Sequence, residues 1–350
     1  MVMISFPEET VLQTLIQLLE IHSPTGRAEK AVDYIHSRLK QSGLNAMLTA
    51  KGGLIVTVPG ENDQVHRLVT VHVDTLGAMV KEIKENGRLR LSKIGGFGWF
   101  SVDGAYCRVE TRKGRMFSGT ILASHTSVHV YADAEEQKRS DEHMEVRLDE
   151  RVKSAQDVKA LGIRVGDFVS FDPQVVTTEA GFIKARHLDD KASAAILLEL
   201  LLYLHESSVR LPHTTHFFFS NFEEVGFGAN SSIPPQVREY LAVDMGAIGE
   251  GQTTDEYCVS ICAKDGSGPY HYGLTTKLIE IAEREGIYHQ VDLYPFYASD
   301  ASAAVRAGYD MMHALIGPGV DGSHAYERTH LEALKNTYLL LYHYLLSPSL

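Results

Sequence analysis

The run Leu68-Val69-Thr70-Val71-His72-Val73-Asp74-Thr75-Leu76-Gly77 ends an apolar stretch with an imidazole and a carboxylate two residues apart. In an extended strand such residues share a face about 6 to 7 Å apart. His72 can then bind a metal while Asp74, bonded to the imidazole or to a neighbouring ligand, fixes its tautomer. Asp189-Asp190 precedes Lys191-Ala192-Ser193-Ala194, the opening of an apolar helix. A single aspartate there reads as an N-cap, but two adjacent carboxylates repel unless a cation or the helix N-terminus compensates them. One of the pair can bridge two cations while the other caps.

Glu223-Glu224 follows His216-Phe217-Phe218-Phe219-Ser220-Asn221-Phe222 and precedes Val225-Gly226. Successive residues at a strand end face different ways, so one glutamate can ligate while its neighbour acts as general base. Asp244 closes Tyr240-Leu241-Ala242-Val243, and His324 ends the glycine-rich Gly317-Pro318-Gly319-Val320-Asp321-Gly322-Ser323, read as a loop. Each reads singly as a turn aspartate, a satisfied histidine or a solvated glutamate. Together, two imidazoles and three or four carboxylates are the donor set of a dinuclear site. Magnesium or calcium would call for nearly all-oxygen donors, so the imidazoles tilt the choice to zinc, cobalt or manganese.

These residues need elements that end together. Residues 8–22 and 27–42 carry apolar positions at helical spacing, broken by Ser23-Pro24-Thr25-Gly26. Residues 54–58 and 68–73 read as neighbouring strands, 190–204 as an apolar helix, 214–219 as a buried strand and 241–245 as a short one. Residues 273–284 form an amphipathic pattern, and 299–307 and 327–346 read as further helices. From about residue 78 to 175 short alternating segments separated by glycine suggest a small β-barrel, with a charged, solvated loop over 133–145. The expectation is an α/β fold: a mixed-sheet core flanked by helices, formed by residues 1–76 plus 178–350, with a β-rich domain inserted at 77–177. In such a sheet the site gathers at the carboxyl ends of the strands.

The 350 residues include 33 basic and 45 acidic side chains, a formal charge of −12 that argues against nucleic acid and anionic membrane as partners. Cys107, Cys258 and Cys262 form no dense framework and are expected to pack in cores. No signal peptide or bilayer-spanning run is visible, so a cytoplasmic protein is expected.

The order His72-Val73-Asp74, Leu188-Asp189-Asp190-Lys191, Glu223-Glu224-Val225-Gly226, Asp244, His324 resembles the co-catalytic metallopeptidases, and within them the glutamyl aminopeptidase or tetrahedral (TET) aminopeptidase family. The resemblance spans essentially the whole chain. It implies an aminopeptidase with two divalent ions per subunit, Zn2+ or Co2+ with Mn2+ also suited. Asp189 would bridge them, with His72 and Asp244 on one ion and Glu224 and His324 on the other. Glu223 would be the general base, Asp74 the residue orienting His72, and Asp190 would follow Asp189 through an unusual peptide geometry. It further implies peptide substrates with a free N-terminus, a dimerisation role for the inserted domain, and a homo-oligomer from dimer to dodecamer. Two stretches depart from the family pattern, Lys51-Gly52-Gly53-Leu54 and Gly322-Ser323-His324-Ala325-Tyr326-Glu327. The same metal site would also serve an N-acyl amino acid or peptide deacylase, and a metal-free endoglucanase-type glycosidase is a more distant reading. Residues 266–269 and 297–300 are candidate pocket walls.

Overall fold

In the computed structural model, which describes residues 4–348, a large mixed sheet is packed by helices and joined to a closed six-stranded barrel. The sheet order is Ala46–Leu48, Leu54–Val58, Leu211–Ser220, Gly60–His72, Val237–Val243, Met312–Val320, Val259–Asp265 and Gly268–Pro269. Leu211–Ser220, Gly60–His72, Val237–Val243 and Met312–Val320 are mutually parallel, so their carboxyl ends lie along one edge. Their inward runs are apolar on both faces because helices cover both sides, the pattern expected of buried parallel strands.

Helix Leu188–Glu206 is buried along nearly its whole length, apolar all round, and forms the centre of the main core. Helix Glu8–Glu20 packs against it through Val11, Leu15, Leu18 and Leu19, while Tyr272–Glu285 and Leu331–Leu346 complete that layer. Lys191, buried in this core, donates to the Leu18 and Ile21 carbonyls (2.8 and 2.5 Å) and so ties the two helices together.

The barrel runs Gly77–Ile83, Leu89–Ile94, Met144–Leu148, Met116–Ala123, Tyr106–Glu110, Phe168–Phe171 and closes on itself. It has its own core, including Val80, Leu91, Val109, Ile121, Val146 and Val169. Cys107 is buried there, and Cys258 and Cys262 are buried in the main body; burial pushes all three thiols up to about 12, in line with packing roles.

Four local readings differ from the sequence expectation. Strand Leu211–Ser220 lies between Leu54–Val58 and Gly60–His72, so the two early strands are not neighbours. Residues 317–319 are strand rather than loop: Gly317 and Gly319 lie in Met312–Val320 because a Cβ there would overlap the Asp244 and Asp255 carbonyl oxygens. Glycine in this strand reflects close backbone approach, which composition alone reads as a loop. Residues 327–330 are a strand, Glu327–His330, paired with Phe182–Ala185, and the last helix starts only at Leu331. The charged stretch 133–145 ends in the barrel strand Met144–Leu148, where Glu145 is buried against Lys84 at 2.6 Å. No helix among the described residues is long and apolar enough to cross a membrane.

Candidate metal centre

Gly60–His72 delivers His72 as its last residue, so Asp74 lies in the turn beyond the strand. The ladder pairs Ser220 with His72, and the chain leaves Ser220 through Asn221 and Phe222, whose left-handed backbone (φ 77°) turns it into the short 3-10 helix Glu223–Val225. Asp244 follows directly on Val237–Val243, and its amide donates to the Ile316 carbonyl at 2.9 Å. His324 lies four residues past Met312–Val320 with φ 61°, and its Nδ1 bonds the Gly96 carbonyl, contributed by the barrel side. Asp189 and Asp190 arrive from Phe182–Ala185, joined by a cis peptide bond and with non-helical backbone at the head of Leu188–Glu206.

Asp189 sits between the two histidines. Its Oδ1 lies 3.1 Å from His72 Nε2 and its Oδ2 3.2 Å from His324 Nε2. Glu223 Oε2 is 3.7 Å from His72 Nε2, and Glu224 Oε2 is 3.6 Å from His324 Nε2. Donor atoms of His72, Asp189 and Glu224 fall within 4.8 Å of one another, as do those of His72, Asp190 and Asp244. All seven expected site residues therefore converge, and Asp190 joins them.

Asp74 lies against His72 as expected, its carboxylate 3.6 Å from Nδ1, but its main chain makes the closer contact. His72 Nδ1 donates to the Asp74 main-chain carbonyl (2.9 Å), while the carboxylate accepts from Thr25 Oγ1 (2.6 Å) and from the amides of Glu223 (3.2 Å) and Glu224 (3.4 Å). The carbonyl fixes the tautomer that leaves Nε2 free to ligate, and the carboxylate holds the glutamate turn. Asp190 Oδ2 likewise accepts from the His72 amide at 3.1 Å.

Burial pushes the Glu223, Glu224 and Asp190 carboxyls well up, and burial with the Asp189 charge brings Asp244 to about 7. For Asp189 burial is outweighed by bonds from His324 and His72, which hold it below the usual carboxylate range. Burial also opposes a charge on His324, but Asp189 and Glu224 raise it to about 11, and His72 is raised in the same way. Five carboxylates facing two imidazoles concentrate negative charge in a buried place, which divalent cations would offset. The donor set of two imidazoles with bridging-capable carboxylates fits zinc, cobalt or manganese.

A cavity of about 590 Å³ opens over these residues. Its lining also includes Met245, Tyr294, Phe296 and Tyr297. Of the expected walls, Tyr297, Ala298 and Ser299 line it, whereas Asp300 and residues 266–269 do not. One residue the sequence reading passed over is Glu327: buried, it accepts from the His324 amide at 3.0 Å and the Asp189 amide at 3.1 Å. The only available signal was an acidic residue three positions beyond His324, which looked like helix-start chemistry.

The chain matches the M42 glutamyl aminopeptidase family over residues 52–340. It is 56% identical over 337 residues, 96% of this chain and 97% of the relative, to YhfE of Bacillus subtilis (strain 168), a protein named provisionally as an aminopeptidase. It is 25% identical to the glutamyl aminopeptidase of Lactococcus lactis subsp. cremoris (strain MG1363), across 67% of this chain and 70% of that one. Among solved structures, the dodecameric PhTET1-12s superposes with a TM-score of 0.84 at 24% identity, covering 96% of this chain and 99% of that chain. A TET aminopeptidase from Thaumarchaeota archaeon SCGC AB-539-E09 gives 0.88 at 18% identity, covering 97% and 98%; both likenesses speak for the fold. With family and near relative in agreement along nearly its whole length, the chain belongs to the M42 glutamyl aminopeptidase family and is a hydrolase of the aminopeptidase kind.

Proposed function

We propose that this protein removes N-terminal residues from peptides with a free amine, using a pair of divalent cations. His72, Asp244 and Asp189 would hold one ion, and Asp189, Glu224 and His324 the other. Bound there, such ions would supply Lewis acidity and lower the pKa of a water toward 7. The observation that carries this reading is the Asp189 carboxylate, whose two oxygens face two different imidazoles at 3.1 and 3.2 Å.

Glu223 is the general base in this reading: beside His72, it takes a proton from the attacking water and returns it to the leaving amine. The carboxylates facing the cavity suit a substrate ammonium, and the apolar wall of Met245, Tyr294 and Phe296 suits a side chain. Residues 77–177 act as an inserted dimerisation domain attached to a catalytic domain of residues 1–76 and 178–350. Their closed barrel with its own core supports the division, and the dodecameric neighbour supports a homo-oligomer. Zinc or cobalt is the metal this reading favours, and the cytoplasm its setting.

The test is Glu223→Gln, assayed on free-amine and N-acetylated peptide anilides with metal content measured alongside. Both cations should be retained while kcat falls about 10² to 10⁴-fold on the free-amine substrate. An unchanged rate overturns the role of Glu223, and preference of the parent enzyme for the N-acetylated substrate would replace the aminopeptidase by a deacylase.

A further inference from the structure

Glu327 opens the strand Glu327–His330, opposite Ala185 on Phe182–Ala185, and from Ala185 the chain runs only four residues to Asp189. A carboxylate 2% exposed costs several kcal/mol to bury unless its oxygens are well partnered. Here both oxygens are spent on main-chain amides: Oε1 accepts from His324 at 3.0 Å and Oε2 from Asp189 at 3.1 Å. The two residues so joined are those whose side chains meet at 3.2 Å across the candidate site.

His324 adopts φ 61°, a backbone state that costs a non-glycine residue about 1 kcal/mol or more and persists only when its surroundings hold it. Its ring is held by the Gly96 carbonyl and its amide by Glu327. Glu327 thus connects a loop that follows one strand of the large sheet to a kink that follows a strand of a different, three-stranded sheet. The ladder between Phe182–Ala185 and Glu327–His330 brings the two segments side by side, and Glu327 is the acceptor that the amides of both donor-bearing residues share.

We infer that Glu327 is a positioning residue that sets the separation of His324 and Asp189 and so the cation affinity of that half of the site. The inference rests on the reading of Asp189, Glu224 and His324 as cation donors. Glu327 itself neither ligates nor moves a proton; it acts by clamping the two amides, which is also why a side chain of its reach is needed.

The experiment compares the full-length parent with Glu327→Gln and Glu327→Asp. Gln keeps the shape but offers an NH2 group to one of the two amides, and Asp keeps the charge but is one methylene too short to reach both. Zinc binding to chelator-stripped protein is followed by calorimetry, and amide hydrogen exchange is read in the same stripped proteins. The zinc event assigned to Asp189, Glu224 and His324 should weaken about 10- to 100-fold in both variants, and the event that shares Asp189 with His72 and Asp244 should weaken less. Exchange at the His324 and Asp189 amides should quicken before any metal is added. Parent-like zinc affinity in both variants, whatever happens to melting temperature, overturns the inference and leaves Glu327 a structural cap. Failure of the parent to bind zinc, cobalt or manganese would instead sink the two-cation reading, and this inference with it. If Glu327→Gln does not fold, Glu327→Asp carries the same readouts.

Discussion

Replacing Asp74 by Asn separates its main chain, which serves His72, from its carboxylate, which serves the glutamate turn. The carboxylate is fully buried and accepts three hydrogen bonds, from Thr25 Oγ1 and from the amides of Glu223 and Glu224. Asn retains one acceptor oxygen. If its NH2 takes the Oδ2 place, Thr25 can reverse and accept, but the Glu224 amide is orphaned; in the Oδ1 place the Glu223 amide is orphaned. One buried N–H left unpaired costs about 1 to 3 kcal/mol, and turning charge-assisted bonds into neutral ones costs about 1 more. The turn therefore loses about 2 to 4 kcal/mol of support, enough to let Glu223 and Glu224 wander. Misplacement of a reacting group by about 1 Å costs about 10²-fold in rate. We expect Asp74→Asn to lower kcat about 10- to 100-fold at saturating metal, with KM nearly unchanged. Calorimetry on stripped protein should show weaker binding of the ion assigned to Glu224 and His324. The His72 carbonyl bond survives the substitution, so the ion assigned to His72 and Asp244 should bind as before. Wild-type kcat, or a loss confined to the His72 ion, would refute this division of labour.

Two further outcomes follow from geometry away from the donors. Gly317→Ala adds a methyl where the Asp244 carbonyl oxygen already lies, so either the strand or Asp244 must shift; the expected result is a loss of about 1 to 3 kcal/mol in urea unfolding together with reduced metal affinity, and unaltered affinity would show that Asp244 is not tied to this strand. His216 is neutral in the fold, its pKa lowered to about 4 by burial and then by His66, to which it is hydrogen-bonded at 2.9 Å. The unfolded chain takes up that proton near 6.5, so stability from this group is full above pH 6.5 and is lost as pH falls toward 4. The loss is about 2 to 3 kcal/mol, and it should be visible as a steeper fall of the urea midpoint between pH 7 and 4.5 than in His216→Gln. Parallel pH curves for the two proteins would refute it.

Most of the proposed donor set was legible because strand ends announce themselves: an apolar run that stops at a histidine or carboxylate has few other uses for it. That logic found His72, Glu223-Glu224 and Asp244, and the doubled charge flagged Asp189-Asp190. The barrel was legible from its short alternating segments and turns. What stayed hidden depends on neighbours distant in sequence. The insertion of Leu211–Ser220 between the two early strands is such a case, and so is the strand character of Gly317-Pro318-Gly319, which exists because other backbones press against it. The role of the Asp74 main chain was equally out of reach: the spacing points to the carboxylate, which does lie 3.6 Å from His72 Nδ1, but the closer acceptor, at 2.9 Å, is the carbonyl.

These hidden contacts share one physical form. Asp74 accepts from the amides of Glu223 and Glu224, Asp190 from that of His72, and Glu327 from those of Asp189 and His324, while the Asp244 amide is held by strand pairing with Ile316. Each of these residues is thus fixed through its main chain, and each imidazole also through Nδ1, which leaves Nε2 of both histidines facing the Asp189 carboxylate. An N–H bonded to a carboxylate is stronger than one bonded to a neutral carbonyl, and it also disperses the negative charge that the converging acids would otherwise concentrate. On the two-cation reading, a site built this way would be preorganised before any cation arrives, because the restraints act on backbone positions rather than on the atoms that would bind. The same arrangement makes the amide-accepting carboxylates as consequential as the donors themselves, although none of the three is recognisable from residue type and spacing as a member of that class.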